Sequence, residues 1–389
     1  MTMQLRVSTN WDPELPERLK GYPVSGLYGK LADDVIGGCR PSFLLPQVSR
    51  RNVAEHVRRC HSAGLQFSYL VNTTCWNNVH YTREGYAAIR ELLDWLADIG
   101  VDSLTVAIPY LIRLVKEHYP GFRIIVSSAA RVNSVTRARQ FEDMGVDEII
   151  VDEMQNRDFA TLQAISESVS CGLELIANPC CIWECPQQIE HVNHDGHASQ
   201  THSHNGYCYL QYPYLICTSQ KLLEPENIIK ARWIRPEDLT EYEALGITSF
   251  KVVERFKTSQ ALCLAVDAYS RRSFDGNLVE LLTLPNRGSF LPPNLEYFNK
   301  PDKVNPDKVA TVAGLMDLSF SDIVTIPNKA LDGFLDFFKE HDCRRISCDR
   351  CGYCRRIFDQ VATYNQDEAM ARGRDFADFA KTIMQGRIF

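Results

Sequence analysis

Five cysteines lie between residues 180 and 217, a concentration that suits metal chemistry. The stretch NPCCIWECP contains Cys180, Cys181 and Cys185, and Cys208 and Cys217 follow it. Thiolates favour zinc or iron–sulfur clusters, and such clusters are usually held by four cysteines whose spacing varies between families. The irregular gaps differ from the paired knuckles of a zinc ribbon and favour a cluster. Zinc, or unligated cysteines in a core, stay open as alternatives.

A second group of cysteines lies near the carboxyl terminus, in CRRISCDRCGYC. It supplies four thiols at close spacing, from Cys343, Cys348, Cys351 and Cys354. This spacing predicts a second metal site, which either zinc or another cluster would fill. The surrounding arginines either balance the charge of a thiolate-bound metal or form a solvated face; they are Arg344, Arg345, Arg355 and Arg356.

Histidines crowd the first cysteine segment and are candidate acids, bases or ligands near neutral pH. The best candidates are His191 and His194, because they lie closest in sequence to Cys181 and Cys185. The alternative is a polar loop whose histidines only form hydrogen bonds. The remaining three are His197, His202 and His204.

Short apolar runs alternate with amphipathic stretches through most of the chain, which is typical of a parallel sheet. Gly64, Gly100 and Gly145 stand where helix C-caps are expected. Eight strands predict an α/β fold, a (β/α)8 TIM-like barrel. An open doubly wound sheet is the competing architecture, although no G-x-G-x-x-G follows the first strand. The strand candidates are residues 4–8, 25–31, 66–72, 103–109, 123–129, 148–153, 172–178 and 249–255.

The alternation breaks after the seventh strand and loosens again toward the end of the chain. We therefore predict a barrel over residues 1–278 that includes a cysteine- and histidine-rich insert at 179–230. A C-terminal extension over 279–389 would contain the cysteine cluster at 343–354.

Polar residues at the strand ends would line the barrel mouth, where barrel enzymes place their active sites. Arg255 is a candidate for a two-pronged grip on a carboxylate, and Glu254 is a second candidate catalytic residue. The alternative for Glu254 is a structural ion pair with Lys251. The other mouth candidates are Asn72, Ser128, Asp152, Glu153 and Asn178.

The bulk composition narrows the setting of this chemistry. The 389-residue chain contains 14 cysteines and has a net charge of −7. It shows no basic run that would indicate binding to a nucleic-acid backbone, although a local RNA-binding face stays open. Neither a signal-peptide core nor an apolar span of about 20 residues is apparent. We expect a cytoplasmic protein without a membrane partner, in which clustered cysteines bind metal rather than form disulfides.

Three segments resemble the collagenase-like peptidase family, peptidase family U32. SSAARVNSVTRARQFEDMGVDEIIVDE resembles a strand–helix–strand stretch of that family, and LVNTTCWNN is similar to another of its strands. In IRPEDLTEYEALGITSFKVVERFKTSQALCLAVDAYSRR, the family pattern is matched by Gly246, Phe250, Lys251, Glu254, Arg255, Lys257 and Tyr269.

This resemblance implies a barrel with four cysteines after the seventh strand that bind a [4Fe–4S] cluster. Transferred to this sequence, the ligands are Cys181, Cys185, Cys208 and Cys217. Cys180 is an extra neighbour that would serve instead of Cys181, and Cys39 is a reserve candidate.

The resemblance also implies function. Some members of the family are peptidases, and others support oxygen-independent hydroxylation of ubiquinone precursors or of a tRNA uridine, with prephenate as the implied oxygen source. We expect the redox role, on a small molecule or an RNA base, with a prephenate-like substrate and an electron donor or second family member as partner. A peptidase is the alternative, although H-E-x-x-H and G-x-S-x-G are absent from the sequence. A non-catalytic, cluster-bearing subunit of a complex is the third hypothesis.

Overall fold

A computed structural model describes residues 2–202, 211–294, 311 and 314–387. Eight parallel strands form a closed barrel in sequential order, which confirms the predicted α/β fold and excludes the open sheet. The strands are β1 Gln4–Ser8, β2 Val24–Gly29, β3 Gln66–Val71, β4 Ser103–Val106, β5 Arg123–Val126, β6 Glu148–Ile150, β7 Gly172–Ile176 and β8 Ser249–Val252.

Helices on the outside cover the apolar faces of the strands. Those of the barrel and its insert are α1 Leu15–Arg18, α2 Arg50–Ser62, α3 Arg83–Asp98, α4 Pro109–His118, α5 Val135–Glu142, α6 Phe159–Ser168, α7 Gln188–His197, α8 Tyr212–Leu223, α9 Glu226–Lys230, α10 Leu239–Glu243 and α11 Ser259–Arg271. The three predicted cap glycines follow α2, α3 and α5 with φ angles of +77°, +78° and +79°. These left-handed angles suit glycine, so each helix ends where the sequence predicts.

The barrel interior contains a buried polar layer at its amino-terminal end. Arg6 on β1 donates to Glu148 on β6 at 2.7 Å and to Glu174 on β7 at 3.4 Å. Both carboxylates thereby offset the charge of one guanidinium, and the pKa of Arg6 is raised although burial alone would lower it. This layer closes the end of the barrel opposite the functional face.

The C-terminal part of the chain packs against the barrel and its insert. It begins with a short 3-10 helix, Leu278–Glu280. The helices that follow are α12 Phe320–Ile323, α13 Asp336–Glu340, α14 Cys348–Cys351, α15 Tyr353–Val361 and α16 Gln366–Met384, with a two-stranded pair formed by β9 Val324–Thr325 and β10 Thr363–Tyr364. No helix in the described ranges is long and apolar enough to cross a bilayer.

Helix α16 lies directly on α8, the insert helix that contains Cys217. The backbone carbonyl of Gly373 accepts a hydrogen bond from Ser219 Oγ at 2.8 Å. A Cβ atom at Gly373 would come within 2.7 Å of Leu223 Cδ2, so the close approach of the helices depends on glycine. The end of the chain thus supports the insert.

Candidate functional site

An ion-pair network joins three loops at the mouth of the barrel. Arg40, in the loop after β2, donates from Nε to Glu254 Oε2 at 2.6 Å and lies 3.7 Å from Asp195 of α7. Burial alone would raise the pKa of Glu254, but Arg40 outweighs it and the pKa is lowered. Glu254 is therefore ionised and paired with Arg40 rather than with Lys251, whose Nζ lies 4.0 Å from the centre of the Tyr28 ring.

Arg255 stands beside this network as a buried cation with spare hydrogen-bonding capacity. Its side chain is enclosed at the end of β8, and its Nη1 has no hydrogen-bond partner among the described residues. Burial lowers its pKa, and the carboxylate of Glu254 only partly offsets this effect. A buried donor of this kind suits an anionic ligand such as a carboxylate.

Cysteines of the insert gather around one buried lysine. Lys221 Nζ donates to Cys217 Sγ at 2.9 Å, one turn apart on α8. Lys221 is also close enough to Cys180, Cys181 and Cys217 for their negative charge to raise its pKa, although burial alone would lower it. Cys185 lies within electrostatic range of the same lysine and of Cys217. Among the described residues, three of the four predicted cluster ligands thus lie within electrostatic range of Lys221. Cys208 lies outside the described residues.

Cys180 and Cys181 occupy different environments. Cys180 is 2% exposed, and its backbone N–H donates to Thr283 Oγ1 at 2.9 Å. Cys181 is exposed and shares Glu153 and Arg40 as charged neighbours with Cys39. The thiol of Cys39 donates to Asn72 O at 3.2 Å, and burial raises its pKa to about 12.

The histidines of the insert contribute mainly to a hydrogen-bonded chain. His191 Nε2 lies 2.9 Å from Gln211 Oε1, and the amide of Gln211 donates to Asp195. His194 is next to Asp195, and burial lowers its pKa. The candidates His191 and His194 thus lie on either side of Asp195, the carboxylate 3.7 Å from Arg40. His204 lies outside the described residues.

Most other strand-end candidates face the mouth. Asn72 donates to Ser127, the neighbour of Ser128, at 3.0 Å, and Asp152 pairs with Arg131 at 3.2 Å. The pKa of Glu153 is raised to about 7 by burial and by the adjacent charge of Asp152. Asn178 is committed to structure, because its side chain binds the backbone of Val253 and Leu281.

Two cavities accompany these groups. One, of about 150 Å³, is mostly apolar and lies beside Gln211, with Phe43, Tyr214 and Phe256 among its walls. The other, of about 210 Å³, lies in the C-terminal part of the chain, and all four predicted ligands of the second site line it: Cys343, Cys348, Cys351 and Cys354. In the described part of the chain, no three Cys, His, Asp or Glu side chains converge closely enough to hold a single metal ion.

Sequence reasoning missed two residues that organise the site. Arg40 adjoins Cys39 in sequence, but its partner Glu254 is 214 residues away, and nothing local predicts that contact. Lys221 follows Cys217 by four residues on a helix, and this spacing was a usable signal because such residues lie on one face.

Comparison with known proteins places these features in a family. The model of peptidase family U32 matches residues 45–277, well over half of the chain. The chain belongs to peptidase family U32. An uncharacterized protease of Methanocaldococcus jannaschii is 30% identical over 328 residues, covering 84% of this chain and 86% of that protein. The solved structure of the U32 peptidase Mk0906 is 22% identical, with a TM-score of 0.49, over 64% of this U32 chain and 92% of that one.

Proposed function

We propose that this U32 protein binds a [4Fe–4S] cluster at the barrel mouth and uses it in oxygen-independent hydroxylation or related redox chemistry. The proposed ligands are Cys181, Cys185, Cys208 and Cys217. The observation that carries the proposal is the assembly of thiols from two separate segments around Lys221. Cys181 is preferred over Cys180 because it is exposed on the side of Arg40 and Glu153.

The irregular sequence gaps between these cysteines favour a cluster over the paired knuckles of a zinc site. Iron–sulfur clusters are usually held by four cysteines, which is the number proposed here. Lys221 would offset part of the negative charge of the bound thiolates. When bound, the cluster would supply one-electron transfer, since four thiolate ligands leave no open iron.

The mouth residues favour a small substrate that contains a carboxylate and an apolar body, such as a prephenate-like acid. Arg255 would donate from its unpaired Nη1 to the carboxylate of the substrate. Glu254, which is paired with Arg40, accepts a hydrogen bond from the backbone N–H of Arg255 and so holds Arg255 in position. The apolar cavity next to Gln211 would accept the rest of the molecule. The net charge of −7 makes an RNA substrate the less favoured choice.

Peptidase activity has less support from the geometry, although the M. jannaschii relative is named a protease. A cysteine nucleophile needs a base within hydrogen-bond reach. In the described ranges, the cysteine sulfurs that form hydrogen bonds contact Asn72 O and Lys221 Nζ, and none contacts a histidine.

The test is anaerobic purification of the wild type and of C217S, with C263S on α11 as a matched control. We expect a brown protein with equal iron and sulfide, and C217S should lose about four iron atoms per chain while C263S loses none. A colourless wild type that cleaves denatured collagen and survives chelation would contradict the proposal. If hydroxylation appears only after a second purified family member is added, the protein acts as a cluster-bearing subunit of a complex.

A further inference from the structure

The four C-terminal cysteines face one cavity because of how the chain turns between two short helices. Cys348 and Cys351 are the first and last residues of α14, and Cys354 lies at the start of α15. Between the helices, Gly352 has a φ of +64°, which reverses the direction of the chain. With Cys343 from the preceding loop, all four thiols line the cavity of about 210 Å³.

Two buried arginines line an adjoining cavity together with Cys343. Arg157 is 3% exposed and donates from Nη1 to Ile229 O at 2.8 Å, but its Nε and Nη2 have no partner in the described structure. Arg232 is 4% exposed, and its Nε is also unpartnered there. Neither forms an ion pair with a described carboxylate.

Aromatic rings hold both guanidinium groups in place. Arg157 lies 4.3 Å from the ring centre of Trp233, and Arg232 lies 3.5 Å from that of Trp183. Both arginines act electrostatically on Cys354, and Arg157 also interacts with Cys343. Stacking stabilises a cation but does not neutralise it. An anionic occupant of the cysteine cavity would offset the charge of both arginines.

We propose that Cys343, Cys348, Cys351 and Cys354 hold a second [4Fe–4S] cluster whose negative charge is balanced by Arg157 and Arg232. A cluster bound by four thiolates is an anion, which would offset the charge of the arginines. All four thiols line one cavity of about 210 Å³, which has room for a body larger than a single zinc ion. This proposal stands on residues separate from those of the barrel cluster and does not depend on it.

Metal content of three proteins tests both clusters independently. The proteins are the wild type, C348S and C181S, each reconstituted anaerobically with ferrous iron and sulfide and then desalted. Cys348 is exposed, so we expect its replacement by serine to leave the fold intact. We expect about eight iron atoms per chain in the wild type and about four in each variant.

The other outcomes are distinguishable. If the C-terminal proposal is wrong, the wild type binds about four iron atoms and C348S keeps all of them. One zinc ion per chain that disappears only in C348S would also overturn it, as would a disulfide among these cysteines in the anaerobic protein. If instead the barrel cluster is absent, C181S matches the wild type and C348S contains no iron. Failure of the wild type to bind any iron overturns both proposals.

Discussion

The guanidinium of Arg255 is enclosed at the end of β8 with one nitrogen unpaired. Taking a charge out of water costs several kcal/mol unless partners replace the lost hydration. Glu254 is the carboxylate that acts most strongly on Arg255, but its Oε2 already accepts a hydrogen bond from Arg40. The remaining capacity of Arg255 is therefore available to an incoming anion.

Replacement of Arg255 by methionine tests this interpretation. We expect R255M to be as stable as the wild type or about 1–2 kcal/mol more stable, because a buried charge that Glu254 only partly compensates is removed. Addition of prephenate should raise the melting temperature of the wild type but not of R255M. R18M, which removes an exposed arginine paired with Glu14, serves as the control and should respond like the wild type. A thermal shift that persists in R255M would rule out Arg255 as the carboxylate ligand.

His56 provides a prediction about acid stability. Its ring is 3% exposed, Nε2 lies 2.8 Å from Thr9 Oγ1, and burial lowers its pKa from 6.5 to about 4. Below pH 6.5, His56 becomes protonated in the unfolded chain but stays neutral in the native protein. The free energy of unfolding therefore falls as the pH drops toward 4. At pH 5 this group should cost the wild type about 2 kcal/mol relative to pH 7.

The measurement is urea unfolding at both pH values for the wild type and H56Q, which keeps a hydrogen-bond partner for Thr9. The loss attributable to His56 is the difference between the two proteins, so acid effects shared by both cancel. Parallel pH dependences would show that His56 does not titrate in this way.

At the level of elements, the sequence predicts where each strand begins but not where it ends. All eight predicted starts fall within one residue of the observed ones, because apolar runs begin directly after turns and helix caps. Seven of the eight predicted strands end too late, as at residues 123–129, where β5 stops at Val126, and the first strand alone ends at the predicted Ser8. The surplus residues, among them Ser128, Asp152 and Glu254, leave the hydrogen-bonded ladder and face the mouth, so the overestimate coincides with the candidate site.

The candidate site is less predictable than the barrel because its contacts are remote in sequence. The thiols of Cys180 to Cys217 can be grouped by local density, and the C-terminal four by spacing. The positively charged neighbours of these thiols cannot be predicted in the same way, because they belong to helices and loops whose positions depend on the whole fold. They are Lys221, Arg157 and Arg232.

The contact between α8 and α16 yields a prediction about the element that holds Cys217. G373V should force the helices apart, because a Cβ atom there meets Leu223 and Leu222, and should lower the free energy of unfolding by about 1–3 kcal/mol. A371V, an exposed change on the same helix, is the control. The free energy of unfolding, measured from denaturation curves, and the iron content should both fall in G373V but not in A371V. Unchanged iron in a destabilised G373V would show that α16 does not position Cys217.

At the scale of the molecule, the C-terminal segment and the barrel insert form one continuous layer. Arg344 donates to Gln155 at 2.8 Å and lies 3.5 Å from Glu184, which is next to Cys185. Arg157 acts electrostatically on Cys180 in the insert and on Cys354 beyond it. Arg157 therefore lies within electrostatic range of one thiol from each cysteine group.

The docking of α16 on α8 also affects when the barrel cluster can assemble during synthesis of the chain. Gly373 leaves the ribosome 154 residues after Ser219, its hydrogen-bond partner, and at ordinary rates of translation that interval is roughly 8–30 s. During this interval Cys217 has been synthesised while the helix that braces it has not. Iron that arrives before α16 is made would bind Cys217 on an unsupported helix. We therefore expect the barrel cluster to assemble after α16 has been synthesised.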